Sequence, residues 1–192
     1  MENEKKYKII YADPAWEYDD KSKSHGGGAE SHYSCSSVEE MGKIDVPADE
    51  DSICLMWVTY PMLPEGLKLM KMWKFEFKTV AFTWVKTNKN SADFFLGMGR
   101  YTRGNPEVCL LGRRGKGVPR IDAGVPNLQI HKRREHSRKP DAIRNEIIRL
   151  FGDVPKIEMF ARHGFEGWDP WGDEKPKDKQ QMLSNTKGSK NA

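Results

Sequence analysis

One stretch of this sequence, residues 52–59, reads Ser-Ile-Cys-Leu-Met-Trp-Val-Thr and is apolar almost without interruption. A strand with one face in water alternates apolar and polar residues, whereas a strand covered on both faces needs no such alternation. The run therefore predicts a buried strand with a layer of structure on each side of its sheet. Further strands are predicted at residues 7–12, 75–86, 107–112 and 156–161.

Helices are predicted between these strands. Ser37, with Glu40 three residues later, has the spacing of a capping box that opens a short helix. Residues 64–73 place their apolar side chains on one side of a second helix. Pro140 opens a third helix that ends near Phe151. Strands that alternate with helices indicate an α/β domain.

The 192 residues suffice for one domain with a substantial core. We expect this domain to span residues 1–174, and residues 175–192 to form a disordered basic tail because Lys, Gln, Ser and Asn dominate there. The longest apolar run is about half of what a bilayer requires, so no membrane span is predicted. Residues 1–6 lack the apolar region of a signal peptide. The three cysteines form no CxxC pair, which favours a cytoplasmic protein without structural zinc or disulfides.

The net charge of +4 conceals a local excess of positive charge. Residues 99–145 hold 12 basic and four acidic side chains, whereas the tail alone carries as much net charge as the whole chain. A basic segment of this kind favours a nucleic acid as partner, with Arg113, Arg114 and Lys116 as contacts to its phosphates. A solvated basic face is the alternative that charge alone leaves open.

Several chemical motifs are absent or incomplete. His131, Glu135 and His136 have the wrong spacing for an inverted zinc-protease motif, so no metal site is predicted. Gly115-Lys116 is followed by Gly instead of Ser or Thr, which excludes a phosphate-binding loop. Neither a dinucleotide-binding GxGxxG motif nor a Gly-x-Ser-x-Gly nucleophile elbow occurs.

The tetrapeptide Asp13-Pro14-Ala15-Trp16 follows the first predicted strand, at the edge of the sheet where ligands bind in α/β domains. The exocyclic amino group of a base is a poor nucleophile because its lone pair is delocalised into the ring. A carboxylate and a backbone carbonyl can each accept one N–H bond from that amino group and orient it for attack. The ring of Pro14 holds the backbone so that its carbonyl faces inward, and Trp16 offers a surface on which a base can stack. The alternative is an ordinary turn with a tryptophan packed nearby.

The chain resembles the N6-adenine methyltransferase family of the mRNA-adenosine methyltransferase type, whose core motif is Asp-Pro-Pro-Trp. The resemblance runs from Ile9 to Glu174 and rests on blocks that occur in the family's order. They are Tyr11–Trp16, His32-Tyr33 before Ser37, Leu55–Val58, Trp84–Asn88, Gly99–Tyr101 with Glu107–Gly112, Ser137–Asp141, and Ile157–Arg162 followed by Gly167-Trp168 and Trp171–Glu174.

This resemblance implies a Rossmann-like, S-adenosyl-L-methionine-dependent methyltransferase whose catalytic motif precedes its cofactor motif. It implies that Asp13 and the Pro14 carbonyl hold the target amino group, and that Asp13 also touches the cofactor. The other implied roles are these: Trp16 and Tyr33 flank the adenine, Lys86 and Glu107 line the substrate side, Lys139 pairs with the cofactor's carboxylate, and Arg162, His163, Asp173 and Glu174 bind the rest of the cofactor.

Two departures from the family's pattern leave alternatives open. Ala15 replaces the second Pro of the motif, and Asp173 stands where Asn is more usual. DNA is the expected substrate because the chain is as compact as a bacterial or phage enzyme. RNA, and a catalytically weak nucleic-acid-binding subunit, are the alternatives. Trp168 and Trp171 are expected to be core anchors. Whether the chain forms a homodimer or joins a different subunit is left open.

Overall fold

The computed structural model describes residues 5–16, 37–99, 101–134, 138–161 and 164–172. Their strands form one sheet of seven in the order β5-β3-β4-β2-β1-β6-β7. Neighbouring strands pair in parallel except at β4, which runs antiparallel to both β2 and β3. The strands are β1 (Tyr7–Ala12), β2 (Ala48–Val58), β3 (Glu76–Thr87), β4 (Glu107–Arg114), β5 (Leu128–Lys132), β6 (Lys156–Met159) and β7 (Asp169–Trp171).

The prediction of a strand buried on both faces is confirmed in β2, which lies between β1 and β4. Successive side chains of a strand point to opposite faces, and β2 divides its residues accordingly. Ile53, Leu55 and Trp57 join one apolar cluster, which also contains residues of α3. Cys54 and Met56 join the other, on the side of α1 and α2. The continuous apolar run is thus explained by helices on both sides of the sheet.

Three helices cover the sheet within the described residues: α1 (Val38–Gly42), α2 (Leu63–Met72) and α3 (Ala142–Phe151). The predicted capping box is present, because the Ser37 hydroxyl accepts the Glu40 N–H and the Glu40 carboxylate accepts the Ser37 N–H. A short 3₁₀ turn at Tyr60–Met62 leads into α2. No helix in the described ranges is long and apolar enough to cross a membrane.

Two strands were not predicted, and both lie at the edges of the sheet. In β5, Leu128 and Ile130 are exposed, and Pro126 and Asn127 just before them suggest a loop. The strand β7 is three residues long and contains Pro170, which disfavours an interior strand. Each pairs with one neighbour only, so the sequence around it carries little of the apolar pattern of a core strand.

The direction of β4 decides which residues meet. The strands β1 and β3 end at the edge where β4 begins, so Asp13 and Lys86 come close to Glu107. We call this end of the strands the catalytic edge, after the roles that the resemblance implies for Asp13 and Glu107. The opposite edge carries the end of β4, with Arg113 and Arg114.

Candidate active site

Four charged side chains form a connected cluster at the catalytic edge. The ammonium of Lys139 donates to both carboxylate oxygens of Asp13, at 2.7 and 2.8 Å. It also lies 3.1 Å from Oε2 of Glu107, whose Oε1 accepts a bond of 2.6 Å from Lys86. The cluster has two positive and two negative groups and is therefore neutral. The Lys139 side chain is only 7% exposed, so the centre of the cluster is shielded from water.

Burial and charge act in opposite directions on these groups. Burial disfavours the ammonium of Lys139, but the carboxylates of Asp13 and Glu107 outweigh it and raise the pKa of Lys139 above its ordinary value. Burial likewise disfavours the charged form of Glu107, but Lys139 and Lys86 lower its pKa below the ordinary value. Neither group therefore changes charge between about pH 5 and pH 10. The stabilisation that Glu107 contributes is lost only in acid and that of Lys139 only in alkali.

Two tryptophan rings lie next to the ammonium groups of the cluster. The ammonium of Lys139 lies 5.7 Å from the ring centre of Trp57, and that of Lys86 lies 5.1 Å from Trp84. The two indoles meet edge to face at 6.4 Å. Each indole N–H has a partner, Tyr11 Oη for Trp57 and the His131 carbonyl for Trp84. The rings are thus fixed, and they hold both ammonium groups by cation–π attraction.

Asp141 holds the segment that carries Lys139. Its carboxylate accepts from Arg138 at 3.3 Å and from Arg144 at 3.1 Å, and it also pairs with Arg134. Arg144 in turn makes a bidentate contact with Glu158 of β6, at 2.5 and 2.7 Å. Because the geometry of this planar pair is directional, it fixes the start of α3 against the sheet. The Lys139 ammonium is thereby kept within hydrogen-bond distance of Asp13.

The structure changes the role of one residue of the tetrapeptide. Trp16 is 5% exposed and belongs to the apolar core, and its indole N–H donates to the carbonyl of Trp57 at 3.2 Å. The prediction that it stacks on a base is therefore corrected, because almost none of this buried residue is open to a base. The Pro14 carbonyl accepts the backbone N–H of Trp16 at 3.0 Å, which leaves one of its two lone pairs for a further donor. Ala15 lies between them, half-buried.

The predicted phosphate contacts lie elsewhere. Arg113, Arg114 and Lys116 are at the opposite edge, about 20 Å along β4 from Glu107 for a strand of this length. Arg114 donates to the carbonyls of Trp73 and Ala48 and stacks on an aromatic ring. This corrects the prediction, because Arg114 stabilises the fold and the structure does not bring these three residues to the cluster.

Five other predicted site residues lie outside the described residues: Tyr33, Arg162, His163, Asp173 and Glu174. The predicted tail, residues 175–192, lies there as well. Of the two predicted core anchors, Trp168 is buried. Trp171 is 40% exposed, so that prediction is wrong, although one edge of the ring contacts Phe160. Among the described residues no group of His, Cys, Asp and Glu could hold a metal ion.

Several residues of the site were missed by sequence reasoning. Trp57 and Trp84 stand near the ends of predicted strands, which was an available signal. Asp141 and Arg144, three residues apart at the start of a helix, were another. Asn105, which fixes the backbone beside Lys86, is preceded only by a long irregular segment, and nothing in its spacing indicates a role.

Comparison with known proteins finds a family model and several relatives that this chain resembles. The MT-A70 family model matches residues 7–174. The Type II methyltransferase M.MunI of Mycoplasma sp is 40% identical over 195 residues, which cover 91% of this chain and 80% of that protein. An N(6)-adenosine-methyltransferase MT-A70-like protein of Arabidopsis thaliana is 27% identical over 83% of this chain, and one of Medicago truncatula, described as putative, is 29% identical over 85%. The chain spans only 22% and 25% of these two plant proteins.

Proposed function

Because the chain belongs to the MT-A70 family, whose members are N6-adenine methyltransferases, we propose that it transfers a methyl group from S-adenosyl-L-methionine to the N6 amino group of adenine in DNA. The observation that carries this proposal is the neutral cluster around Asp13, at the sheet edge where α/β enzymes bind their ligands. We further propose that residues 1–174 form the methyltransferase domain, of the Rossmann-like type with the catalytic motif first.

The residues present fit the amino-acid end of this cofactor. That end carries one carboxylate and one ammonium group, and the Asp13–Lys139 pair offers one partner for each. The carboxylate and ammonium of the cofactor can replace the two partners within the Asp13–Lys139 ion pair, so that no buried charge is left unpaired. An unpaired buried charge would destabilise the complex. Lys139 would hold the cofactor's carboxylate, and Asp13 would accept from its ammonium. Of the remaining residues proposed for the cofactor, Arg162, Asp173 and Glu174 stand in the blocks that resemble the family, and His163 directly follows Arg162.

When bound, the cofactor supplies a methyl group activated on a sulfonium centre. Asp13 and the Pro14 carbonyl would each accept one N–H bond from the adenine amino group and so orient its nitrogen lone pair for attack. The methyl group that the cofactor supplies would pass to this nitrogen, and Asp13 would accept the N–H proton that the nitrogen then gives up. Because the substrate groups are already charged or polarised, most of the rate comes from positioning. Lys86 and Glu107 border the space for the adenine.

The bacterial relative favours DNA over RNA as the substrate. It is a Type II methyltransferase, and its match to this chain covers 80% of its own length. The plant relatives are described as N(6)-adenosine-methyltransferases, which keeps RNA as a second candidate. A purely binding role is disfavoured because Asp13, Glu107 and Lys139 are all retained and connected.

The first test compares substrates and cofactor binding. Labelled S-adenosyl-L-methionine is expected to methylate adenine in unmethylated plasmid DNA faster than in RNA of the same length. The cofactor is also expected to raise the melting temperature, since a ligand at about 100 times its Kd adds about 2.7 kcal/mol to stability. Faster methyl transfer to RNA would identify RNA as the preferred substrate. No transfer and no thermal shift would contradict the enzyme assignment altogether.

Two described cations suited to DNA at the catalytic edge are Lys132, the last residue of β5, and Arg133, which follows it, and both are exposed. Replacing both with Gln is expected to weaken DNA binding and to lower the slope of log K against log salt by about 2, because two phosphate contacts are lost. The matched control is Arg113→Gln with Lys116→Gln, an equal charge change at the opposite edge. Titrations at several salt concentrations measure both slopes, and a larger loss in the control pair would contradict this placement.

A further inference from the structure

The described residues of the segment that joins β3 to β4, 88–99 and 101–106, are built onto the catalytic edge. We call this segment the β3–β4 loop. Asn105 accepts the backbone N–H of Lys86 at 2.8 Å and donates to the carbonyls of Lys86 and Phe95 at 2.9 and 2.6 Å. The Phe95 N–H donates back to the Lys86 carbonyl at 2.9 Å. The base of the loop is therefore bonded to the backbone of Lys86 itself, through Phe95 and Asn105.

The outer part of the loop is held by its own bonds. Gly97 and Gly104 exchange two backbone hydrogen bonds, of 2.7 and 3.2 Å. The guanidinium of Arg103 donates to the carbonyls of Leu96 and Gly97, at 2.6 and 2.8 Å. A Cβ at Gly99 would lie 2.0 Å from the Thr102 carbonyl oxygen, so the tip requires glycine there. These contacts give the tip a defined shape.

The side chains on this tip are large, apolar and open to water. Met98 is 95% exposed and Tyr101 is fully exposed, and Phe94 and Leu96 are more than half exposed. Ordered apolar side chains held in water indicate a surface that something else covers. The charges around these side chains indicate which kind of partner covers them. The cations Lys89, Lys132 and Arg133 accompany the loop and its neighbour β5, and the Arg133 guanidinium lies over the Phe95 ring at 3.9 Å.

We propose that the β3–β4 loop is a wedge that enters duplex DNA, with Met98 and Tyr101 filling the space that the target adenine leaves when it turns out of the helix. The inference rests on the proposed function and adds the residues that act on the neighbouring base pairs. An apolar or aromatic side chain at such a position offsets part of the few kcal/mol that unstacking requires. The flanking cations would hold the phosphates on both sides of the opened step.

The loop lies where such a wedge must be. Its two ends continue into the strands that carry Lys86 and Glu107, which border the proposed adenine site. A base turned toward Asp13 therefore leaves its gap next to the loop. Met98 and Tyr101 are wedge residues under this inference, and they do not touch the reacting atoms.

The test compares paired and mismatched duplexes. Sequencing the methylated plasmid first identifies an adenine that the wild type modifies. Methyl transfer is then measured on a short duplex with that adenine paired, and on one with a mismatch opposite it, where turning out costs less. The double variant Met98→Ala, Tyr101→Ala is expected to be at least about tenfold slower on the paired duplex and within about threefold of wild type on the mismatched one. Ile121→Ala, an exposed apolar residue beside the end of α3, is the control and should change neither rate.

Equal losses on the two duplexes, or no loss on either, would overturn the wedge and leave the proposed function standing. A wild type that sediments as a dimer, with a double variant that sediments as a monomer and keeps its rate on paired DNA, would assign the loop to an interface between copies and overturn the wedge too. A wild type inactive on both duplexes and on plasmid DNA would overturn the proposed function and the wedge with it.

Discussion

Replacing Asp13 with Asn is expected to lower kcat for methyl transfer by about 10³-fold, the effect of removing a charged group that orients the reacting atom. The amide is nearly the same size as the carboxylate, so the backbone of the tetrapeptide keeps its place. What is lost is the charge that accepts an adenine N–H, together with one of the two contacts to Lys139, at 2.7 and 2.8 Å, because an amide nitrogen cannot accept from an ammonium group. Labelled cofactor measures the rate under saturating conditions.

Asp49→Asn is the matched control. Asp49 also bonds a lysine, Lys8, at 2.8 Å, but it stands at the start of β2, away from the catalytic edge. The same chemical change is expected to leave kcat within about twofold, because a surface ion pair contributes little. If Asp13→Asn retained more than a tenth of wild-type activity, the assignment of Asp13 as the group that holds the amino nitrogen would be contradicted.

Replacing Lys139 with Gln is expected to destabilise the fold by about 3 to 5 kcal/mol, because it leaves the carboxylates of Asp13 and Glu107 facing each other without their shared cation. For a chain of this size that corresponds to a fall in Tm of about 6 to 20 °C. The variant is also expected to bind the cofactor about tenfold or more weakly, as loss of a charged hydrogen bond predicts. Thermal unfolding and calorimetric titration measure the two effects.

A double-mutant cycle separates the energy of the Asp13–Lys139 contact from the effects of the two single substitutions. Asp13→Asn in the Lys139→Gln background is expected to cost much less stability than it does in the wild type, since the charge it removes has already lost its partner. Lys8→Gln is the control for loss of a lysine and should leave Tm within about 2 °C. Additive effects of the two active-site changes would show that the Asp13–Lys139 contact does not stabilise the folded protein.

The family and much of the layout were readable from the chain. The tetrapeptide at Asp13 lies at the end of β1, the run at 52–59 lies in a strand buried on both faces, and α3 ends at Phe151 as predicted. Each of these follows from local pattern, because burial on one or both faces of a strand or helix leaves its period in the sequence. The edge strands β5 and β7 were missed for the same reason, since they bury too little to show a period.

The sequence by itself singled out Asp13, Lys86, Glu107 and Lys139 as candidate site residues, through the blocks that resemble the family. Only the tertiary structure decided how they are combined. The reversal of β4 places Glu107 at the catalytic edge and Arg113 at the opposite one, so a charge excess counted along the chain divides between two ends of the sheet. Lys139, 126 positions from Asp13, meets it through contacts between separate elements. Such contacts depend on strand order and direction, which no local spacing encodes.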